Sequence, residues 1–258
     1  MTHLISHELF ENHDTGGHPE SAHRITRLRH LVDQEFPHLN KLDFTPLEQK
    51  GLEEVHSHEL VQMVKAAAAT GGGSVGPEAL VSPMSYETAA YAAGAACTAA
   101  ASVLTQRDPA VCLIRPPGHH ATANLSQGFC LFNNVAIAAK HLLAEHQIER
   151  ILIVDWDVHH GNGTQAIFYD DPRVMFYSLH RFPFYPGSGS KEETGTGAGL
   201  GFTLNNPIAY GTPRAQILAA FRLGLEQAAA KIRPEVIIVS AGFDAHIDDP
   251  LGSLDLYE

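Results

Sequence analysis

The sequence has few cysteines and no long uninterrupted apolar run, and each absence excludes a class of protein. Its three cysteines lie far apart, at positions 97, 112 and 130. They match neither a disulfide framework nor a CxxC zinc site. No segment approaches the roughly 18 apolar residues that a membrane-spanning helix needs, and the N-terminus lacks the basic and apolar regions of a signal peptide. We therefore expect a cytoplasmic protein with free thiols and no membrane partner.

Positive charge is also scarce. The 258 residues contain 17 lysines and arginines against 29 acidic residues, which gives a formal net charge of −12. This sign argues against nonspecific binding to nucleic acid or to an anionic membrane, whereas a cationic substrate would be tolerated. No linker or change of composition interrupts the chain, so we predict a single domain over residues 1–258.

The most informative stretch is residues 151–163, "ILIVDWDVHHGNG". Its four leading apolar residues predict a strand that is buried on both faces. Asp155, Asp157 and His159 follow at once, at the end of the strand where open α/β sheets bind their ligands. Alternate residues of an extended segment point the same way, so Asp157 and His159 could bind one divalent cation.

Two other predicted strands end in polar groups of the same kind. Residues 111–114 lead into "RPPGHHA", which contains His119 and His120, and residues 236–240 lead into "AGFDAH", which contains Asp244. Helices are predicted for residues 85–106, 133–143 and 214–232. Strands that alternate with helices indicate an α/β fold with a mostly parallel central sheet flanked by helices.

At one edge of such a sheet these residues form a complete hydrolytic set. Asp157, His159 and Asp244 supply three metal ligands and leave a position open for water, as catalytic zinc sites do. His119 and His120 then serve as general base and acid, and Asp155 can orient one of the histidines. The sequence therefore predicts metal-assisted hydrolysis.

Five motifs together resemble the zinc-dependent histone deacetylase and acetylpolyamine amidohydrolase family: "RPPGHHA", "GFCLFNN", "VDWDVHHGNGT", "SLHRFPFYPGSG" and "SAGFDAHIDDPLG". "GFCLFNN" and "AGFDAH" are most similar to its class II branch and bacterial relatives. The similarity begins at "HPE", residues 18–20, and continues to the last residue. It implies an arginase/deacetylase-like three-layer fold and removal of an acetyl group from an amine such as acetyl-lysine or an acetylpolyamine.

The resemblance implies a role for each matching residue. It assigns zinc to Asp157, His159 and Asp244, and it makes His119 and His120 the pair that handles the protons of the attacking water and the leaving amine. The orienting partners of this pair match Asp155 and Asn162. Phe129 and Tyr185 match the aromatic walls of the family's acyl-lysine tunnel. Gly128 matches the residue whose backbone carbonyl holds the substrate amide. A potassium ion would be held by Asp155, Asp157, His159, Ser178 and Leu179.

One family element is missing from these 258 residues. Most active members carry a later "GGY" motif whose tyrosine donates to the scissile carbonyl, and none of the seven tyrosines lies in such a motif. Loss of one such donor costs roughly 100- to 1000-fold in turnover. The last strands of the family are missing too, so we expect either a fragment or a naturally short member. A short member could cover its bare sheet edge by forming a homo-oligomer.

Three functions are compatible with this sequence. The first is a zinc-dependent hydrolase that removes an acyl group from an acylated amine. The second is ester or thioester hydrolysis at the same site, because a better leaving group needs less polarisation of the carbonyl. The third is a non-catalytic homologue that binds acylated ligands. A binuclear manganese site is disfavoured, because it would need more carboxylates after the histidines.

Overall fold

The structure is a computed structural model that describes residues 2–252, 254 and 256–257. The chain divides into two compact units, Met1–Gln147 and Ile148–Glu258. Both units contain parallel strands flanked by helices, which confirms the predicted α/β class. The assignment of one domain to the whole chain stays a prediction.

The N-terminal unit contains a small parallel sheet and an antiparallel hairpin. The sheet has the order β2-β1-β5 and the hairpin pairs β3 with β4. Their bounds are β1 His3–Ser6, β2 Asn40–Lys41, β3 Gly73–Gly76, β4 Ala79–Val81 and β5 Ala110–Leu113. The central strand β1 buries its apolar side chains, so it forms part of the core of this unit.

The described residues of the N-terminal unit also form a short 3-10 helix, Glu8–Asn12, and five α-helices: α1 Ala22–Glu35, α2 Gln49–Leu52, α3 His58–Ala69, α4 Ser85–Gln106 and α5 Asn134–Glu145. Helix α4 is alanine-rich, and its small side chains are buried on most faces. Its length and hydropathy alone would suffice to cross a membrane, but 61% of its apolar window is buried inside the protein. That burial is typical of a core helix.

The C-terminal unit is built on a four-stranded parallel sheet of order β8-β7-β6-β9. Its strands are β6 Ile151–Asp155, β7 Val174–Arg181, β8 Thr203–Ile208 and β9 Val236–Ser240, and its helices are α6 Asn162–Ile167 and α7 Arg214–Ile232. All five residues of β6 are buried, as its continuous apolar run predicts. Every neighbouring pair in this sheet is parallel, so all four strands have their carboxyl ends at one edge.

Close packing between α7 and β7 holds one face of this sheet. The Tyr177 ring lies 5.7 Å from the Phe221 ring, and its hydroxyl donates to the Phe221 carbonyl at 3.0 Å. Gly224, one turn further along α7, lies directly against the same tyrosine. A Cβ at position 224 would fall 2.5 Å from the Tyr177 ring. The helix can therefore lie on the sheet only because residue 224 has no side chain.

We predict that Gly224→Ala destabilises the protein. Alanine in an open helical position would stabilise by about 0.5–1 kcal/mol, but the clash with Tyr177 makes this an overpacked site that costs about 1–3 kcal/mol. Urea unfolding of the variant measures the difference, and Glu226→Ala, at an exposed position of α7, is the control. A stabilised Gly224→Ala variant would contradict this packing.

Candidate metal centre and histidine loop

The candidate metal centre forms where β6 and β9 end. Asp157 and His159 lie in the loop that follows β6, and Asp244 lies in the loop that follows β9. These two strands are direct neighbours with Asp155 opposite Ser240. Because they are parallel, both loops leave the sheet at the same edge, and the three predicted ligands meet there.

One histidine nitrogen contacts both carboxylates. Nδ1 of His159 lies 2.9 Å from Oδ1 of Asp157 and 2.9 Å from Oδ2 of Asp244. One candidate ligand atom from each of the three residues lies within 4.8 Å of the others. The side chains are 16–21% exposed, so the cluster is largely shielded but still accessible to solvent. An imidazole and two carboxylates that solvent can reach are a suitable ligand set for a catalytic divalent metal.

Backbone amides hold these carboxylates in place. The amide of His159 donates to Oδ1 of Asp157 at 2.8 Å, and that of Val158 donates to Oδ1 of Asp244 at 2.9 Å. The amide of Asp157 in turn donates to Oδ1 of Asp155 at 3.1 Å. The ligand loop is thus organised by its own backbone hydrogen bonds.

The electrostatics of the cluster favour a cation. Burial alone would lower the pKa of the His159 imidazole, but hydrogen bonds and attraction from Asp157 and Asp244 raise that pKa to about 10. Burial and repulsion from Asp157 raise the pKa of Asp244, against the opposing effect of its hydrogen bond to His159. The raised pKa of His159 reflects the negative charge of the two carboxylates beside it, which a divalent ion can balance in place of a proton.

The remaining residues that were predicted to bind potassium or to orient the histidine pair lie along the same edge. Asp155, fully buried, is the last residue of β6, and its ladder partner on β7 is Ser178. Leu179 comes next on β7 and is also buried. Asn162 is the first residue of α6, and its amide donates to the carbonyl of His160 at 2.8 Å. The roles of these four residues stay predictions.

Two aromatic rings cover the ligand histidine. The Phe184 ring is stacked on His159 at a centroid distance of 5.2 Å and an angle of 13°, and the Tyr185 ring meets His159 edge-on at 6.0 Å. Tyr185 was singled out from the sequence as a tunnel residue. Phe184 was not, although its place in the same "FPFYPG" segment was the available signal.

The tandem histidines lie in the N-terminal unit, in the loop after β5. Both are buried, and the ring centroids of His119 and His120 are 3.9 Å apart. The Gln127 side chain donates to the His120 carbonyl at 3.1 Å, and the amide of Ala121 donates to the carbonyl of Gly118 at 3.0 Å. The pair is therefore presented on an ordered turn.

This histidine loop is held by residues that the sequence analysis did not assign. The side chains of Asn133 and Asn134 donate to the carbonyls of Ala121 and Pro116 at 3.1 and 3.0 Å. Burial lowers the pKa of His56 to about 4, so its imidazole is neutral at pH 7. Its Nε2 can then accept a hydrogen bond from the amide of Asn133 at 2.9 Å. An isolated histidine carries no sequence signal for such a role.

The proposed substrate contacts Gly128 and Phe129 lie on a turn docked against the β3–β4 hairpin. Both have positive φ angles, 54° and 69°. Their amides donate to the carbonyls of Pro77 and Glu78, each at 3.0 Å. Phe129 thus adopts a backbone conformation that non-glycine residues rarely accept, and the hairpin contacts stabilise it.

The fold and the site together define an α/β protein with a candidate divalent-metal centre at the carboxyl edge of a parallel sheet. The chain belongs to the histone deacetylase family, since its residues 18–258 match the Histone deacetylase domain. This confirms the family predicted from the five motifs.

Individual relatives agree. The chain is 39% identical to the histone deacetylase-like amidohydrolase of Pseudomonas aeruginosa, over 93% of this chain and 64% of that protein. It is 47% identical to the polyamine deacetylase HDAC10 of Rattus norvegicus, over 67% of this chain and 30% of that protein. The crystal structure of the HDA15 HD domain matches with a TM-score of 0.93 at 34% identity, covering 98% of this chain and 74% of that one. The deacetylase-like fold is therefore confirmed.

Gly242, just after β9, provides a test of the metal centre. A Cβ at this position would fall 2.1 Å from Oδ2 of Asp157. We predict that Gly242→Ala displaces this carboxylate and weakens divalent-cation binding by about 10- to 100-fold, as other changes beside metal ligands do. Competition with a chromogenic chelator measures the affinity.

The matched control is Gly17→Ala, because a Cβ there would meet no atom within 4 Å. Its cation affinity should equal that of the unaltered protein. Equal affinity in Gly242→Ala would show that the Asp157 carboxylate does not contribute to cation binding in this position.

Proposed function

We propose that this protein is a zinc-dependent hydrolase that removes an acyl group, acetyl above all, from an acylated amine. The observation that carries the proposal is the convergence of Asp157, His159 and Asp244 in a chain of the histone deacetylase family. Two carboxylates and one imidazole are a ligand set found in catalytic zinc sites, and they leave room for water and substrate.

When bound, zinc supplies Lewis-acid polarisation of the acyl carbonyl and of a water molecule. His119 accepts the proton of the attacking water and His120 delivers one to the leaving amine, or the reverse, with Asp155 and Asn162 orienting the pair. The Gly128 carbonyl accepts a hydrogen bond from the substrate amide, and Phe129 and Tyr185 flank the acyl-lysine chain. A potassium ion held by Asp155, Asp157, His159, Ser178 and Leu179 would add positive charge behind the ligand loop.

The substrate class is an acylated amine, which is a protein lysine side chain, a polyamine or another small amide. The formal charge of −12 favours a substrate that carries further positive charge. One relative is named a polyamine deacetylase. Acetate release from an acetyl-lysine peptide and from an acetylated polyamine compares the two directly. Residence in the cytoplasm stays a prediction.

The tandem histidines provide the sharpest mutational test. We expect His119→Ala and His120→Ala to retain bound zinc but to lower kcat by about 10²- to 10⁴-fold, the usual contribution of general acid–base catalysis. Asp244→Asn should instead lose the metal. Metal analysis and acetate release on each variant measure the two effects separately.

A second pair of touching histidines supplies the control. The rings of His141 and His146 lie 5.3 Å apart on the end of α5, and His141→Ala should keep both zinc and turnover. An unaltered protein that is fully loaded with zinc but releases no acetate from either substrate would refute the proposed activity.

Ester or thioester hydrolysis at the same site is the second candidate. A better leaving group needs less polarisation of the carbonyl, so the same metal centre and histidine pair would serve both reactions. Kinetics on an activated ester and on the matching amide separate the two activities. Turnover of the ester alone, still dependent on His119 and His120, would favour the esterase. Tight binding of a hydroxamate without any turnover would favour an acyl-ligand-binding protein.

A further inference from the structure

We propose that Arg181, the last residue of β7, is a positioning residue for the metal cluster. Among the described residues it forms no hydrogen bond or ion pair with Asp157, His159 or Asp244. It does contact three separate groups, each of which touches one of these ligands. The inference rests on the proposed function in one respect, since it takes the cluster to be the working metal centre.

The first contact is a stack of planar groups that ends on the ligand histidine. The guanidinium carbon of Arg181 lies over the Phe184 ring, 4.1 Å from its centroid. Phe184 is itself stacked on His159, with the rings only 13° from parallel. On the outside, Arg181 also lies over the Tyr210 ring at 4.8 Å. Loss of the guanidinium would leave Phe184, and through it the His159 ring, free to tilt.

The second contact runs through the backbone of the ligand loop. The amide of Arg181 donates to the carbonyl of Val158 at 2.8 Å. Val158 stands between the ligands Asp157 and His159, and its own amide donates to Oδ1 of Asp244 at 2.9 Å. The peptide groups of one residue thus connect the end of β7 with a ligand carboxylate.

The third contact reaches the segment that lies against Asp244. Nη1 of Arg181 donates to the carbonyl of Gly252 at 3.3 Å. Gly252 lies so close to Asp244 that a Cβ at position 252 would fall 1.5 Å from the Asp244 carbonyl oxygen. Arg181 therefore helps to keep Gly252 against the backbone of Asp244.

The chemistry of arginine suits this role. Its guanidinium is flat, always charged and able to stack on aromatic faces while donating in its own plane, which the ammonium group of lysine cannot do. The Arg181 guanidinium lies over two rings, those of Phe184 and Tyr210, while its Nη1 donates to the Gly252 carbonyl. Groups that orient first ligands in this way commonly change metal affinity or activity by 10- to 100-fold when altered.

The test compares Arg181→Met with Arg214→Met. Arg214 is a matched control in the same unit, because it lies over the Tyr257 ring at 4.8 Å and donates to the Tyr257 carbonyl at 3.1 Å. We expect Arg181→Met to weaken zinc binding by about 10- to 100-fold and to lower kcat more than it changes KM. Arg214→Met should leave both unchanged. Chelator competition measures the zinc affinity without any substrate.

Two further readouts separate positioning from a general loss of stability. The visible absorption of the cobalt-substituted protein reports ligand geometry, and it should change in Arg181→Met and not in Arg214→Met. Arg181→Lys should recover only part of the zinc affinity, because it restores the charge without the planar stack. Zinc affinity, kcat and cobalt spectrum all equal to those of the unaltered protein in Arg181→Met would overturn the inference, as would equal losses in Arg214→Met.

Tyr210→Leu covers the case in which Arg181→Met does not fold. Tyr210 is 67% exposed, so its ring can be removed without opening the core. We expect a smaller loss of zinc affinity in the same direction, and unchanged affinity would then overturn the inference. A protein that binds zinc but hydrolyses no acylated amine would refute the proposed function alone, since the zinc arm still tests Arg181.

Discussion

Two carboxylates that share one imidazole nitrogen are the arrangement on which the C-terminal unit depends. Asp157 and Asp244 both lie 2.9 Å from Nδ1 of His159 in a site that is partly closed to water. Negative charges this close repel each other unless a cation or a proton lies among them. The parallel pairing of β6 with β9 brings the two aspartates together, so the candidate metal centre depends on strand order.

The residues around this cluster pack closely against its side chains. Residue 242 has no side chain, because a Cβ there would fall 2.1 Å from the Asp157 carboxylate. Phe184 lies flat on His159, and Arg181 lies on Phe184 in turn. Ligands that are held by a packed outer layer keep their geometry when the ion binds, which preserves affinity and reactivity. The three candidate ligands thus form the inner part of a larger packed unit.

Local pattern was sufficient to predict much of this fold. Strand β6 was recognised because its apolar run is continuous, as expected for a strand buried on both faces. Helices α4 and α7 were recognised from alanine-rich and amphipathic stretches, and their predicted bounds agree with the structure. Strand β8 was missed. Its sequence "TLNNPI" contains two asparagines and a proline, residues that disfavour strands.

The position of β8 explains why such a sequence can form a strand there. β8 is the outer strand of the order β8-β7-β6-β9. Proline has no backbone N–H, and an edge strand tolerates this loss because one of its sides has no neighbouring strand to bond. Asn205, in the same strand, is buried and its side chain donates to the side-chain oxygen of Gln165 at 2.7 Å. The supporting roles of His56, Phe184 and Arg181 were missed for a related reason. Each role depends on a side-chain contact that forms only when the chain folds.

The sequence by itself determined which segments are buried, which residue types stand at the strand ends, and to which family the chain belongs. These properties depend on local hydrophobic pattern and on short motifs, and both are present in the sequence itself. Only the tertiary structure decided that one nitrogen of His159 contacts both aspartates, and that the Arg181 guanidinium lies over the Phe184 ring that is stacked on His159. Those contacts join residues from separate strands and loops, and only the parallel pairing and close packing of the folded sheet bring them within bonding distance.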